Sequence, residues 1–392
     1  MEPDVLVDLT PLETPTRFTG IGRYVEELGS ALAKLSPSER QGLEIGALTA
    51  LSGPSAIGPL DWKGSPEPLF GDGDVEETRW LMARRTLLAA TLRRRPPRLF
   101  HATQNLGTPR GSTVPRVLTC HDVVRLAMPR DYLAGRWAYR WILHGLEIAR
   151  FRSARRVIAI SRCTADDVIR LLGVEPSRID VVPHGVDLGK LRPPRAGAEA
   201  EAAAAVLRKW GLADRPYFLH LGAADPRKNV DTLIHGFARA GLAGVDLVLI
   251  GRLKPSHRAT VERSLEEVGR PPSVRLLGFV PDEDLPAILA GALALPFTST
   301  YEGFGFTPLE AMACGCPVIA TGLTSIGEVV GDAALLVPPR DPGALAAALR
   351  RVATESSLAG DLRRAGLARA ARFTWRETAL GTVESYARAL RA

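Results

Sequence analysis

Residues 301–320 constrain the fold of this chain more than any other stretch, because loop, helix and strand signals follow one another there without interruption. The apolar run 292–297 just before them predicts a short buried strand. Gly303 and Gly305 then leave the backbone free to come close to a ligand. A helix start follows this glycine loop, and its unpaired N–H groups and partial positive charge suit a phosphate. The stretch therefore predicts a parallel α/β unit with an anion-binding loop.

The helix after the loop is predicted to begin with a capping box. Thr307 is expected as the N-cap, Pro308 as the first helical residue and Glu310 as the third, and a strand follows over 317–320. Two carboxylates, Glu302 and Glu310, stand eight residues apart at an end that should favour anions. Two interpretations remain open. Either the pair accepts hydrogen bonds from ligand hydroxyls, or Glu310 only closes the capping box and Glu302 is a solvated loop residue.

The length of the chain favours two domains. At 392 residues it exceeds one ordinary domain, so two domains of roughly 190 residues each are expected, and an apolar content of 46% supports real cores. No apolar run approaches the ~20 residues that span a bilayer, and the N-terminus shows no basic-then-apolar leader. The four cysteines lack C-x-x-C spacing, which predicts free thiols in a reducing cytoplasm rather than a zinc site or disulfides.

Basic residues are concentrated between Arg79 and Arg156. This segment holds 17 Arg against three acidic residues, whereas the net charge of the whole chain is only +7. Aromatic and basic residues interleave on a helix predicted over 134–152, which suits an anionic membrane surface. These residues are Trp137, Trp141, Phe151, Arg136, Arg140, Arg150 and Arg152. The alternative is that Arg simply serves as the surface cation, since Arg far outnumbers Lys. No nucleic-acid module is visible, so nucleic acid is not expected as a partner.

Strand and helix signals alternate along both halves of the chain, which predicts two doubly wound α/β domains. Pro, Gly and Ser mark a loop over 52–68, and a Pro- and Ala-rich linker is predicted over 192–205. In the first half, strands are predicted at 4–9, 99–102, 116–120, 157–160 and 179–182, and helices at 21–35, 77–94, 134–152 and 163–172. In the second half, strands are predicted at 217–221, 245–250, 274–277, 292–297, 317–320 and 334–337, and helices at 229–240, 257–267, 284–289, 342–352 and through the tail. The domains are predicted as 1–190 and 206–373.

The stretch 301–320 resembles the E-x7-E signature of the retaining family 4 glycosyltransferases. The likeness runs through Glu302, Glu310, the glycines and the Glu-Ala-Met-Ala-Cys-Gly segment. The resemblance covers nearly the whole chain and implies the GT-B architecture, in which two Rossmann-like domains face each other across a cleft. In that family the last helix crosses back to the first domain, so residues 374–392 are expected to pack on domain 1–190. The family is metal-independent, so no metal or other cofactor is expected.

A basic turn, Pro-Arg-Lys-Asn at 226–229, lies between a predicted strand and a predicted helix, which is again a phosphate position. Lys228 is one of few lysines in a chain that otherwise uses Arg, which favours a point-charge contact with a diphosphate. Arg227 could clamp a second phosphate oxygen. The alternative is an exposed basic turn. The family often has a further Arg where this chain has Ala223, so Arg252 is an additional candidate cation.

Three further segments resemble family motifs, and one glycine pair stands apart. His121 follows a predicted strand and resembles the histidine beside the reacting sugar; a buried structural histidine is the alternative. His184 replaces the Asn of a Pro-Asn-Gly-Val-Asp segment, and Val280 lies in a segment whose backbone meets the nucleobase. Gly20 and Gly22 form a tight turn before the first helix. Such a turn needs no ligand, but both glycines are donor-binding candidates.

The resemblance also implies the chemistry. A sugar would pass from a nucleotide sugar to an acceptor hydroxyl with retention at the anomeric carbon, and the departing phosphate would take the proton. Glu310 would hold the ribose, and Glu302 the donor sugar beside Gly303, Phe304 and Gly305. Catalytic candidates are therefore His121, Glu302 and Lys228.

The sequence resembles those of the mannosyltransferase branch of the family. This favours GDP-mannose as donor and a glycan or lipid-linked acceptor in cell-surface polysaccharide synthesis. The expected location is the cytoplasm, at the inner face of the cytoplasmic membrane. Open alternatives are a UDP-sugar donor, a sugar phosphorylase or nucleotide-sugar epimerase of the same fold, and an inactive membrane-bound scaffold.

Overall fold

The chain folds into two compact units. The computed structural model describes residues 3–49, 56–59, 88–90, 92–94, 96–105, 112–133, 137–222, 225–251 and 255–392. Unit 1 comprises Met1–Gly185 together with Thr374–Ala392, and unit 2 comprises Val186–Phe373. In the part of the chain that the structure describes, no helix is both long and apolar enough to cross a membrane.

Unit 1 is built on a seven-stranded sheet in the order β3-β2-β1-β4-β5-β6-β7. The strands are β1 (Val5–Asp8), β2 (Ile45–Thr49), β3 (Ala56–Pro59), β4 (Leu99–Ala102), β5 (Arg116–Cys120), β6 (Arg156–Ala159) and β7 (Ile179–Val181). Neighbours pair in parallel except β2 and β3, which are antiparallel. The parallel order confirms the predicted doubly wound sheet. The predicted loop 52–68 is wrong at β3, because an edge strand tolerates Gly and Pro.

Before Gly185, five helices whose full bounds are described connect these strands. They are α1 (Gly20–Lys34), α2 (Val124–Ala127), α3 (Pro129–Tyr132), α4 (Trp137–Ser153) and α5 (Arg162–Leu172). Side-chain caps set two of their starts: Thr19 accepts from the Ile21 N–H at 3.2 Å, and Ser161 accepts from the Thr164 N–H at 3.0 Å. The short helices α2 and α3 were not predicted, and most of the helix predicted over 77–94 lies outside the described residues. One hydrophobic core forms between a face of the sheet and the helices that cover it, and it includes Phe100 of β4, Leu118 of β5 and Phe151 of α4.

Unit 2 contains two three-stranded parallel sheets, β10-β9-β8 and β11-β12-β13. The strands are β8 (Tyr217–Leu221), β9 (Asp246–Ile250), β10 (Val274–Gly278), β11 (Leu295–Phe297), β12 (Val318–Thr321) and β13 (Leu335–Val337). A parallel bridge between Phe218 and Ala294 joins the sheets, and the Leu219 N–H donates to the Ala294 carbonyl at 3.1 Å. The strands therefore follow the order 3-2-1-4-5-6 of a doubly wound nucleotide-binding fold. This order places the carboxyl ends of β8 and β11 side by side.

Eight helices in the described residues of unit 2 complete the alternation. They are α6 (Ala198–Lys209), α7 (Val230–Ala240), α8 (Pro255–Glu267), α9 (Leu285–Gly291), α10 (Phe306–Ala313), α11 (Ser325–Val330), α12 (Pro342–Thr354) and α13 (Ser356–Ala370). Helix α6 covers part of the predicted linker 192–205, and it packs against α9 within unit 2. Its Ala-rich sequence favours a helix over a flexible linker. Helix α11 was not predicted.

The last helix, α14 (Trp375–Arg391), belongs to unit 1 and packs against α1. Polar contacts anchor it to the sheet of that unit. The Tyr386 hydroxyl lies 2.7 Å from His101 Nδ1, and the Ser385 hydroxyl donates to Asp180 at 2.7 Å. Arg388 also donates to Asp180, at 2.8 Å. The predicted return of the final helix to the first domain is confirmed.

Candidate active site

Two loops at the carboxyl ends of neighbouring strands form the centre of unit 2. The first is the turn Pro226–Lys228 between β8 and α7, and the second is the glycine loop between β11 and α10. Because β8 and β11 are adjacent, residues far apart in the sequence meet there. Hydrogen bonds to backbone carbonyls join the loops: the Thr300 N–H donates to the Arg227 carbonyl at 2.7 Å, and Thr298 Oγ1 donates to the Lys228 carbonyl at 2.8 Å.

Glu302 accepts hydrogen bonds from both predicted phosphate cations. Lys228 Nζ lies 2.6 Å from Glu302 Oε1, and Arg227 Nη1 lies 2.8 Å from Glu302 Oε2. Ser299 Oγ donates to Oε1 at 2.8 Å, and the Lys228 ammonium lies 4.7 Å from the centre of the Phe297 ring. The Glu302 side chain is only 9% exposed, so this carboxylate is not a solvated loop residue. The basic turn is likewise not merely an exposed surface turn, since the Lys228 side chain is 12% exposed.

The pKa of Glu302 reflects opposing effects. Burial alone would raise the pKa of this carboxyl, but the charges of Lys228 and Arg227, with hydrogen bonds from Lys228 and Ser299, hold the pKa below its ordinary value. Glu302 is therefore ionised near neutral pH. Glu302, Lys228 and Arg227 form one network, and Arg227 also extends it to a fourth charged group by donating to Asp225 at 3.2 Å.

The backbone of Glu302 is held from the loop between β12 and α11. The Glu302 N–H donates to Thr324 Oγ1 at 3.1 Å, and Ser325 Oγ donates to the Glu302 carbonyl at 2.7 Å. Neither residue was a candidate from the sequence, because a Thr-Ser pair after a strand indicates only a turn or a cap.

His220 is a second residue that sequence reasoning missed. It lies fully buried in β8, and its Nδ1–H donates to the Pro296 carbonyl at 3.0 Å. Burial lowers the pKa of His220 to about 4, and the charge of Lys228 lowers it further while the bond to Pro296 and the charge of Glu302 oppose the shift. His220 is therefore neutral at pH 7. Its hydrogen bond joins β8 to β11, and it lies close enough to Lys228 and Glu302 for their charges to influence its pKa.

Glu310 lies in α10, but the predicted capping box is wrong. The helix begins at Phe306 with Gly305 as its N-cap, and no side chain caps it. Gly305 has φ of 115°, a conformation that glycine adopts easily, so the chain enters the helix two residues earlier than predicted. Glu310 therefore lies beyond the first turn, and its side chain is buried in unit 2. A ribose contact of Glu310 stays a prediction.

His121 lies in unit 1, directly after β5, at the carboxyl edge of the sheet. Its Nε2–H donates to the Thr103 carbonyl at 2.8 Å, and its ring meets the Tyr24 ring edge-on with centroids 4.8 Å apart. Burial lowers the pKa of His121 to about 4, although the bond to Thr103 opposes the shift. The imidazole is therefore neutral at pH 7. His184 is also buried, with its ring 5.6 Å from that of His121 and 5.8 Å from that of Trp375.

Comparison with known proteins identifies the family. Residues 18–190 match the model described as Glycosyltransferase Family 4, and residues 205–369 match the model described as Glycosyl transferases group 1. The O-antigen chain mannosyltransferase B of Escherichia coli is 31% identical over 391 residues, which cover 96% of this chain and 97% of that protein. The chain belongs to glycosyltransferase family 4. It is thus a glycosyltransferase, as the E-x7-E stretch predicted.

Solved structures support the same fold. Sucrose-phosphate synthase from Thermosynechococcus elongatus has a TM-score of 0.73 at 23% identity, with 99% of both chains covered. Anabaena HepE in complex with UDP-glucose has a TM-score of 0.72 at 18% identity, with 98% of this chain and 99% of that chain covered. The predicted GT-B fold class is therefore confirmed for this family 4 chain.

The remaining donor-binding candidates of this glycosyltransferase fall into three groups. Val280 is buried in unit 2, while its neighbour Phe279 is 59% exposed. Gly20 begins α1, and a Cβ at Gly22 would lie 2.3 Å from the Arg17 backbone, so close packing by itself accounts for that glycine. Arg252 lies outside the described residues, and so does Ala223, the position where the family often has Arg.

The Arg-rich helix α4 departs from the predicted membrane face. Arg150 is buried and pairs with Glu147, and Phe151 is fully buried, so neither belongs to an exposed surface. Trp141 and Ile142 are 67% and 61% exposed. Arg136 lies outside the described residues, and the side chain of Arg140 is not described.

Among the described residues, one group has the spacing of a metal site. Ligand atoms of Asp231, His235 and Glu267 lie within 4.8 Å of one another on α7 and α8. The cluster is largely exposed, with His235 Nδ1 3.5 Å from Asp231 Oδ1 and His235 Nε2 3.2 Å from Glu267 Oε2. All four cysteines are free, as predicted.

Proposed function

We propose that this family 4 enzyme is a retaining mannosyltransferase that uses GDP-mannose and extends a glycan or lipid-linked acceptor in cell-surface polysaccharide synthesis. The observation that carries the proposal is the part-buried network of Lys228 and Arg227 with the buried Glu302 at the adjacent carboxyl ends of β8 and β11. The name of the E. coli relative, an O-antigen chain mannosyltransferase, supports both the sugar and the product class.

The network supplies the charges that the reaction needs. Two cations that contact the loop before α10 stabilise the negative charge that develops on the leaving nucleoside diphosphate. As the bond between the anomeric carbon and the phosphate oxygen breaks, the acceptor hydroxyl bonds to the same face of that carbon. Its proton passes to the departing phosphate oxygen. In this proposal no metal is required, since Lys228 and Arg227 provide the positive charge.

Glu302 and His121 act on the sugar rather than on the phosphate. An ionised carboxylate accepts strong hydrogen bonds from sugar hydroxyls, and Glu302 stays ionised because its pKa is lowered. His121 is neutral at pH 7, so its part is a hydrogen bond to the sugar and not proton donation. Glu310 is proposed to hold the ribose of the nucleotide.

A specific observation supports a second donor. The structure of HepE, with a TM-score of 0.72, contains UDP-glucose, which makes a UDP-sugar the alternative. The test is to incubate the purified enzyme with GDP-mannose, UDP-glucose, UDP-galactose and ADP-glucose in turn, with a lipid-linked or free mannose-containing acceptor. We expect release of GDP and an α-linked mannosyl product whose anomeric configuration is that of the donor. Activity with UDP-sugars only would mean that the donor is a UDP-sugar and not GDP-mannose. A product with inverted anomeric configuration would overturn the retaining mechanism.

A peripheral contact with an anionic membrane is part of the proposal. A lipid-linked acceptor presents its glycan at a bilayer surface. The exposed Trp141 and Ile142 of α4 suit the interfacial region, where aromatic side chains are favoured. The location would then be the inner face of the cytoplasmic membrane.

A further inference from the structure

Thr324 has a backbone conformation that its side chain disfavours. Its φ is 53° and its ψ is −141°, outside the left-handed helical region that Asn229 adopts with φ of 51° and ψ of 49°. A β-branched residue at positive φ is a clear outlier, whereas glycine reaches such angles without strain. Of the non-glycine residues with positive φ in the described ranges, Thr324 is the β-branched one. Strain of this kind persists where surrounding contacts hold it and is concentrated at functional sites.

The contacts that hold Thr324 lead to Glu302. Thr324 Oγ1 accepts from the Glu302 N–H at 3.1 Å, and Ser325 Oγ donates to the Glu302 carbonyl at 2.7 Å. Both backbone polar groups of one buried residue are therefore bound by two consecutive hydroxyls. Nearby, Thr321 Oγ1 donates to the Ser299 carbonyl at 2.6 Å. Residues 321–325 therefore hydrogen-bond to the loop after β11 at three points.

A separate set of contacts holds the carboxylate of Glu302. Lys228 and Arg227 bind its two oxygens at 2.6 and 2.8 Å. These are the cations that a nucleoside diphosphate would bind under the proposed function. Once the diphosphate takes them, the carboxylate loses its strongest partners, while the backbone contacts from Thr324 and Ser325 do not involve the cations.

We propose that Thr324 and Ser325 are positioning residues that fix the Glu302 backbone, so that its carboxylate stays at the donor sugar after Lys228 and Arg227 have passed to the diphosphate. This inference rests on the proposed function of Glu302. The strained backbone at Thr324 brings its hydroxyl to the Glu302 N–H. Glycine could adopt the same backbone angles without strain, but it has no hydroxyl to accept this hydrogen bond.

Three replacements of Thr324 separate the hydroxyl from the strain. Thr324→Val keeps the shape and the β-branch but removes the acceptor, and Thr324→Ser keeps the acceptor. Thr324→Gly removes the acceptor and also relieves the strain. We expect kcat to fall at least about tenfold in the Val and Gly variants, because a small displacement of a sugar-binding group lowers the rate strongly. The KM for the donor should change less than kcat, and Thr324→Ser should retain most of the activity.

Stability should not follow activity across this series. Thr324→Gly should have a Tm equal to or above that of the wild type while its kcat falls, which a purely structural role would not produce. Thr354→Val, at an exposed position at the end of α12, is the matched control and should change neither kcat nor Tm. If Thr324→Val does not fold, the Gly and Ser variants still carry the comparison. A Thr324→Gly variant with wild-type kcat, or a kcat that falls only in step with Tm across the series, would overturn the proposal.

Hydrogen–deuterium exchange tests the contact between Thr324 and the Glu302 backbone without a donor. The amide of Glu302 should exchange faster in Thr324→Val than in the wild type and at the wild-type rate in Thr324→Ser. A wild-type enzyme that transfers no sugar from any nucleotide sugar would overturn the proposed function. Unchanged exchange at Glu302 in Thr324→Val would overturn the positioning role of Thr324, so the two failures are distinguishable.

Discussion

Lys228 and Glu302 form a part-buried ion pair in unit 2, with Nζ 2.6 Å from Oε1 although 74 residues separate them in the sequence. A ligand that is to use Lys228 as a phosphate cation must share it with Glu302 or displace that carboxylate. Glu302 therefore has two relations to the donor: it competes with the diphosphate for cations, and it offers the sugar an ionised acceptor. The variants below separate the two.

Replacing the carboxylate by an amide should release the cations. Glu302→Gln keeps the shape and the hydrogen bond from Ser299 but removes the negative charge, so nucleoside diphosphate should bind as tightly as to the wild type or several-fold more tightly. Turnover and discrimination between donor sugars should fall, because the strong bond to a sugar hydroxyl is lost. Isothermal titration with GDP and steady-state kinetics measure the two effects. Weaker binding of GDP would place Glu302 with the diphosphate-binding groups instead.

Removing the lysine should affect both binding and stability. Lys228→Met should weaken binding of the nucleoside diphosphate by roughly 2–4 kcal/mol and leave the free nucleoside nearly unaffected. It also leaves Glu302 buried with one cation fewer, so the free energy of unfolding should fall by about 3 kcal/mol. Adding Glu302→Gln to Lys228→Met should restore part of that stability. An equal loss of affinity for nucleoside and diphosphate would remove Lys228 from the phosphate site.

Glu310 should act on the nucleotide and not on the sugar. Glu310→Gln should weaken binding of GDP and of the intact donor alike, by roughly 1–3 kcal/mol, because the ribose loses an ionised acceptor. The start of α10 should be unaffected, since Gly305 and not a side chain caps it. Titration of both ligands, with circular dichroism as the control for the helix, checks this. Unchanged affinity for both ligands would contradict the ribose contact.

Buried neutral histidines should make the protein acid-sensitive. Burial lowers the pKa of His101 to about 3 and those of His121 and His220 to about 4, whereas an unfolded histidine titrates near 6.5. Below pH 6.5 the unfolded chain binds protons that the folded chain does not, so stability is full above pH 6.5 and falls towards pH 4. Each such group contributes up to about 1.4 kcal/mol per pH unit in this window.

A single substitution tests this account of the acid sensitivity. Between pH 4.5 and 6.5, His121→Gln should reduce the number of protons taken up on unfolding by about one, which lowers the slope of the free energy of unfolding against pH. Above pH 7 the slope should not change. Urea unfolding at a series of pH values measures the slope. A His121→Gln variant with the wild-type slope would mean that His121 titrates alike in the folded and unfolded chains.

Membrane contact should depend on the exposed residues of α4. Replacing Trp141 and Ile142 by Ser should reduce binding to vesicles that contain anionic phospholipid, while binding of GDP in solution stays unchanged. Arg150→Gln should instead lower stability, since it breaks a buried pair with Glu147. Binding in the wild type should weaken as salt is raised. Equal vesicle binding by the wild type and the double variant would leave the exposed apolar side chains without this role.

Local patterns in the sequence determined most of the secondary structure and the identity of the family. Strands such as Tyr217–Leu221 and helices such as Pro342–Thr354 follow from apolar runs and helical spacing over a few neighbouring residues. The loop with Glu302, the basic turn with Lys228 and the return of the last helix were predictable because each depends on residues close together in the chain or on a family motif.

The tertiary structure decided what depends on distant residues. Lys228 meets Glu302 because β8 and β11 are neighbours in the sheet, and no local pattern specifies that order. The burial of Arg150, which the sequence presented as a surface cation, likewise follows from packing within unit 1. Helix α10 begins at Phe306 because Gly305 adopts a positive φ that a capping sequence does not reveal. Thr324 is strained and holds Glu302 because two loops from separate strands meet, and only the folded chain brings them together.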